Sequence, residues 1–141
     1  MLLMLLPEQL DRFWPVVKYA VEECFKDVAQ KQNLINNILQ SLLTSRMHAW
    51  IATEDQDSID AIAITSVVDD SALPGGIVRI YMLYAFKPLK SEFWEEGWNT
   101  LEAFARKAGC VQVDTFSTNA KIISQAELFG WKSEQHLYKE L

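Results

Sequence analysis

This 141-residue chain is poor in the residues that build metal and redox sites: it has two cysteines and two histidines. Cys24 and Cys110 stand far apart, without the paired spacing of a zinc knuckle or a redox turn. Cys24 falls on the apolar side of a predicted helix and Cys110 opens a predicted strand, so both are expected to be buried, reduced thiols. His48 and His136 are isolated too, and no metal site is expected, since one would need ligands gathered from distant segments. The one concentrated apolar run, "MLLMLL", stops after six residues at Pro7. That is far short of a membrane span, and it has neither a basic flank nor a small-residue cleavage site, so it reads as a first strand. Positive charge is also short, with 13 Lys and Arg against 19 Asp and Glu and a net charge of −6. This argues against a nucleic-acid partner or an anionic membrane surface. Repeats, low-complexity tracts and linkers are missing, and the length fits one domain, residues 1–141.

What is present is periodicity. Leu10, Phe13, Trp14, Val17, Val21, Cys24, Phe25 and Val28 follow the i, i+3, i+4, i+7 rule and mark one buried helical stripe. Pro15 falls inside it, which predicts a short turn over 8–13 and a longer helix from about Pro15. Leu34, Ile35, Ile38, Leu39, Leu42 and Leu43 give a second helix, ending near Ser45. The period then becomes two. "MHAWIATED" and "DAIAITSVV", joined by the turn "DQDS", predict an antiparallel hairpin, and after "DDSALPGG" the stretch "IVRIYMLYAF" continues the meander. Residues 91–107 are helical again, with Trp94, Trp98, Leu101, Ala105 and Ala108 on one face, Ser91 as N-cap and Gly109 as the stop. "CVQVDTF" is a strand, "AKIISQAELFGW" a helix ending at Gly130, and "SEQHLYKEL" a final strand. A meander followed by a strand-helix-strand crossover implies an α/β (α+β) domain: a mixed, mostly antiparallel sheet with helices on both faces.

The end of the chain, "AFARKAGCVQVDTFSTNAKIISQAELFGWKSEQHLYKEL", resembles the GNAT N-acetyltransferase superfamily in its asparagine after the fifth strand, Asn119, and its Gly-aromatic pair, Gly130 and Trp131. The resemblance implies a GNAT-like acyltransferase fold, acetyl-CoA as cofactor and transfer of its acetyl group to an amine. On this chain it implies cofactor contacts at Leu83 and Tyr84 of the strand before the loop, at Lys87, Lys90 and Ser91 of the loop, and at Asn119.

The loop departs from the family pattern Q/R-x-x-G-x-G/A. Glycine there lets backbone N–H groups at a helix N-terminus approach a pyrophosphate unobstructed by Cβ atoms. The corresponding segment here, "FKPLKSEFW", contains no glycine, Pro88 lacks a donor, and Glu92, Glu95 and Glu96 put negative charge nearby. Lys87 and Lys90 could act as point charges toward phosphate instead, or simply be solvated loop lysines. Where many family members have a tyrosine that protonates the leaving thiolate, this chain has Ala126. Tyr138, Tyr84 and Tyr81 are candidate replacements, Tyr138 first among them as a catalytic candidate, although strands favour tyrosine for packing alone. Asp114, Glu54 or a water could take the proton from the amine, while Arg79, mid-strand, reads as solvent-facing.

The front half also resembles small GNAT-like proteins of bacteriophages and prophages with a degenerate cofactor loop, through Trp14, Pro15, Ser45, Arg46, Met47 and Trp50. Core packing is the favoured expectation for the two tryptophans. Two functions follow as expectations: an acetyltransferase with a rewritten cofactor loop, or a non-catalytic GNAT-fold binding or structural protein. Either would be cytoplasmic, in the host cytoplasm if phage-encoded. A strand edge or an apolar helix face could bury itself in a homodimer.

Overall fold

The computed structural model describes residues 1–55 and 58–141. Its elements run β1 (Leu2–Met4), α1 (Leu10–Cys24), α2 (Lys31–Leu43), β2 (Met47–Ala52), β3 (Ala61–Asp69), β4 (Gly76–Ala85), α3 (Ser91–Lys107), β5 (Cys110–Thr115) and α4 (Ala120–Leu128), with a 3₁₀ turn at Pro7–Gln9. The five strands form one sheet in chain order. Strands β1 to β4 pair antiparallel and β5 joins β4 in parallel, as the α3 crossover requires. The expected α/β architecture, a mixed sheet covered on both faces, is therefore present.

Alternation along the strands sends side chains to two separate cores. Ile62 and Ile64 of β3 point to the face covered by α1 and α2, where they meet Val17, Val21, Ile35, Ile38 and Leu42. Ala63 points the other way, into a cluster of Trp50, Ile80, Trp98, Leu101 and Ala126 under α3 and α4. Ile62, Ile64 and Ile80 are almost wholly excluded from water. Truncating any of them to alanine would cost about 2–5 kcal/mol, a large share of a domain's stability. Trp50 donates its indole N–H to Thr65 Oγ1 at 2.9 Å and Trp14 packs against the α1–α2 core, so both tryptophans are core residues.

The structure corrects several boundaries. Pro15 does not start the helix; α1 runs unbroken from Leu10 through it. The carbonyl left without an i+4 donor is that of exposed Asp11, where water can serve instead. Ser91 is the first residue of α3, and its N-cap is Lys90, which gives no side-chain cap. The turn "DQDS" includes Gln56 and Asp57, which lie outside the described residues. Cys24 is exposed rather than buried, whereas Cys110 is buried as expected. The strand expected over "SEQHLYKEL" does not form: no residue beyond Gly130 belongs to a strand. Its composition favours an extended chain, but a strand also needs a partner, and this segment runs apart from β5.

Candidate functional site

The site begins with one extra residue in β4. Along the β3–β4 ladder Ile64 pairs with Met82 and Thr65 with Ile80, leaving Tyr81 opposite nothing. This is a β-bulge, which bends its strand and raises its twist. The consequence is visible in the packing. Val78 and Ile80 face α3, whereas Met82 and Tyr84, at the same sequence parity, face α1 and α2.

The parallel ladder with β5 ends at the same place. Its last pairs are Arg79 with Asp114 and Ile80 with Thr115, while β4 continues to Ala85. The two strands therefore fork, and among the described residues no strand lies beside the stretch from Tyr81 to Ala85 on the β5 side. The vertex is fastened by side chains. Thr115 donates its hydroxyl to the Ile80 carbonyl at 2.9 Å, and Arg79 grips Asp114 through Nε and Nη2 at 2.8 and 2.9 Å. Such a two-pronged ion pair holds β4 and β5 in register. Arg79 thus pairs inward, and its guanidinium also lies over the Phe116 ring at 4.8 Å. Asp114, engaged by both bonds, is a brace for the fork rather than a free base.

Leu83 and Tyr84 both lie on this open stretch. The Cys24 thiol, at the end of α1, donates to the Leu83 carbonyl at 3.7 Å. Although the residue as a whole is exposed, partial desolvation of its sulfur beside β4, then the adjacent Glu23, push that thiol's pKa up, so it stays protonated and keeps its donor. The Tyr84 ring meets Tyr19 and Phe86 edge-on at 6.2 and 5.0 Å. Burial, then Tyr19, raises the Tyr84 phenol's pKa, so it retains its proton at neutral pH. Tyr81 stacks on Phe25 at 5.5 Å.

Beyond β4, the two loop lysines differ. Lys87 is held by two acidic groups, Asp60 Oδ1 at 3.2 Å and Glu54 Oε2 at 3.5 Å. The Asp60 carboxylate is buried and also accepts the Glu54 N–H at 2.7 Å and the Ser58 hydroxyl at 3.3 Å. Burial opposes its charge, yet these hydrogen bonds and the Lys87 ammonium outweigh that and hold its pKa below the ordinary carboxylate value. Lys87 is shifted up, first through its bond to Asp60. It pins the loop to the turn between β2 and β3, and Glu54 is occupied in the same contact. Lys90 has no ion-pair partner among the described residues. It sits at the N-cap of α3, where its carbonyl accepts from Phe93 and Trp94, placing the N–H groups of Ser91 and Glu92 ahead of the helix's first hydrogen bonds.

The remaining candidates lie toward β5. Asn119 is the N-cap of α4, and its Oδ1 accepts from the Lys121 and Ile122 N–H groups. Tyr138 is exposed and stacks on His136, which stacks on Phe116 just past β5. The structure therefore gathers Leu83, Tyr84 and Tyr81 on one arm of the fork, and Phe116, His136 and Tyr138 beyond the end of the other. Sequence reasoning missed the bulge, the Thr115 latch and the Arg79–Asp114 brace. The available signal was that apolar residues of "IVRIYMLYAF" occupy both parities, as a strand that changes faces must.

No protein-family model and no curated protein matches the sequence. Solved structures do match the fold. A predicted acetyltransferase from Clostridium acetobutylicum, solved with acetyl-CoA, superposes with a TM-score of 0.75 at 10% identity, covering 100% of this chain and 95% of that one. The ribosomal-protein-alanine N-acetyltransferase from Brucella melitensis biovar Abortus 2308 gives 0.70 at 9% identity, covering 100% and 99%. An aminoglycoside acetyltransferase from an uncultured soil metagenomic sample, solved in complex with sisomicin, gives 0.68 at 13% identity, covering 100% and 95%. At such identities the likeness is one of fold, and the fold is that of the GNAT acyltransferases.

Proposed function

We propose that the protein binds acetyl-CoA in the fork between β4 and β5 and transfers the acetyl group to an amine. The observation that carries this reading is the fork itself: a bulge at Tyr81 where the parallel ladder ends, beyond which, among the described residues, β4 backbone from Tyr81 to Ala85 has no strand on that side. An extended chain bearing amide groups, such as the pantetheine arm, satisfies such backbone as a strand would. A structural neighbour solved with acetyl-CoA supports the same choice of ligand.

The fit differs along the ligand. The fork offers β4 backbone groups, including the second lone pair of the Leu83 carbonyl beside the Cys24 thiol that already donates to it. The α3 N-terminus offers the Ser91 and Glu92 N–H groups, the helix dipole and the Lys90 ammonium, with Glu92 opposing. Lys87 stays with Asp60 and holds the loop in place. Acetyl-CoA supplies the activated acetyl group as a thioester. The chain's part is to hold that thioester in the fork, exclude water beside Leu83, and supply a proton to the departing sulfur. We assign that last role to Tyr84, which lies on the open stretch and keeps its proton through its raised pKa, with Tyr138 as the alternative from the β5 side. Asp114 and Glu54 are both ion-paired, so a water is the better acceptor for the amine's proton.

Melting with and without acetyl-CoA tests this. At about 100 times its dissociation constant the ligand should add roughly 2.7 kcal/mol of stability. Release of free CoA thiol with a panel of amines then reads transfer. No melting shift at millimolar acetyl-CoA would overturn the proposal and leave a GNAT-fold binding protein. A shift without release for any amine would leave binding without catalysis.

A further inference from the structure

Protein interiors are close-packed, yet a cavity lies under the first turns of α3, on the sheet face opposite α1 and α2. Its volume is about 50 Å³, several times the roughly 10–15 Å³ that a single water needs. On the sheet side its wall is Ala52, Ala61 and Ala63, of which Ala52 and Ala61 pair across β2 and β3. Two residues before Ala52 the same face carries Trp50, so large side chains fit under α3 and the three alanines are what leave the space.

On the helix side the wall is Trp94, Gly97 and Trp98. Gly97 lies within α3, where alanine would stabilise the helix better. A Cβ built on it would meet no atom within 4 Å, so neighbouring atoms do not demand glycine; what the missing side chain keeps is room.

The two tryptophans supply the polar part. Their rings lie 5.4 Å apart, Trp98 is only 2% exposed, and both indole N–H groups are buried without an acceptor among the described residues. Trp50 is the contrast, since its N–H reaches Thr65. Buried donors are normally paired, because an unmade hydrogen bond leaves their desolvation uncompensated. An apolar cavity beside two such donors suits a ligand that brings the acceptor with it.

We propose that this cavity binds a small neutral carbonyl compound, a ketone of about four or five non-hydrogen atoms. Its aliphatic body lies against the alanines and Gly97, and its oxygen, with two lone pairs, accepts from Trp94 and Trp98. A carboxylate is disfavoured, because the only charged side chain in the lining is Glu96, itself anionic. Leu83 is the one residue shared with the fork, and the inference does not depend on the acetyl-transfer reading.

Titration with 2-butanone, read on the indole N–H signals of the ¹⁵N-labelled protein, tests it. The Trp94 and Trp98 signals should move to lower field and saturate, while that of Trp50, already bonded to Thr65, should stay. Gly97→Ala should melt higher than the unmodified protein and bind the ketone roughly tenfold more weakly, as one added carbon narrows the cavity. Gly97→Met, whose flexible side chain can fill the space, should be folded by circular dichroism and show no saturating shift. No saturating shift of either signal in the unmodified protein at high millimolar 2-butanone would overturn the proposal. So would unchanged affinity in Gly97→Ala or in folded Gly97→Met, or equal saturation by butyrate at neutral pH.

Discussion

Deleting Tyr81 separates the bend in β4 from every side chain around it. Met82 pairs with Ile64 and Ile80 with Thr65, so without Tyr81 the β3–β4 ladder becomes continuous. Ile80 still faces Trp98 and Met82 still faces the α1–α2 core, because neighbours in a regular strand point to opposite faces. What is lost is the bulge, and with it the divergence from β5. The cost to stability should be modest. Tyr81 is 38% exposed and its main contact is the stack on Phe25 at 5.5 Å. A stacked aromatic pair is worth about 0.5–1.5 kcal/mol, which for a chain of this size lowers the melting temperature by roughly 2–6 °C. The effect on ligand should be much larger, since the whole acetyl-CoA response, about 2.7 kcal/mol at 100 times its dissociation constant, depends on an open fork. Tyr81→Ala is the control: it loses the same ring, keeps the extra residue, and should keep the response. The assay is thermal melting with and without acetyl-CoA, after circular dichroism has shown a native fold. An undiminished response in the folded deletion would refute the reasoning. Equal loss in Tyr81→Ala would show that the ring matters and the bend does not.

Three further outcomes follow from the same geometry. Lys87→Ala should lower the melting temperature of the free protein by stripping buried Asp60 of its counter-ion, whereas Lys90→Ala should leave it unchanged and reduce the acetyl-CoA shift; the reverse pattern would exchange their roles. Because the folded pKa of Asp60 is depressed, the native state binds fewer protons than the unfolded chain near pH 4. Its contribution is therefore complete above that pH and lost as pH falls toward the folded value, so in urea titrations Asp60→Asn should be less stable at neutral pH yet lose less on acidification below about pH 4. Asn119→Ala should cost about 0.5–2 kcal/mol as a lost helix cap. Its acetyl-CoA response should be unchanged, and loss of that response would show a ligand contact as well.

Local pattern was enough for most of the fold. The stripe from Leu10 to Val21 could be buried only as a helix face, and the alternation in "DAIAITSVV" only as a strand between two cores. Gly109 and Gly130 both adopt positive φ, +78° and +90°, just past helices they were expected to stop. The final strand was misread for a related reason: alternation shows what a segment prefers, not whether an edge lies within reach. Cys24 was misread because a helix stripe does not reveal that its last turn runs out over the open part of β4.

The sequence by itself determined the order of elements from β1 to α4, the two core faces and the loss of a glycine cradle before α3, because each rests on residues close together in the chain. Tertiary structure decided where β4 bends, that Lys87 belongs to Asp60 and Glu54, that Arg79 and Asp114 fasten the fork, and that residues 132–141 stand away from β5. Each of these joins groups distant in sequence. Whether a charge is free or paired, and whether an edge is open or covered, depends on which distant partner the packed chain brings within a few ångströms.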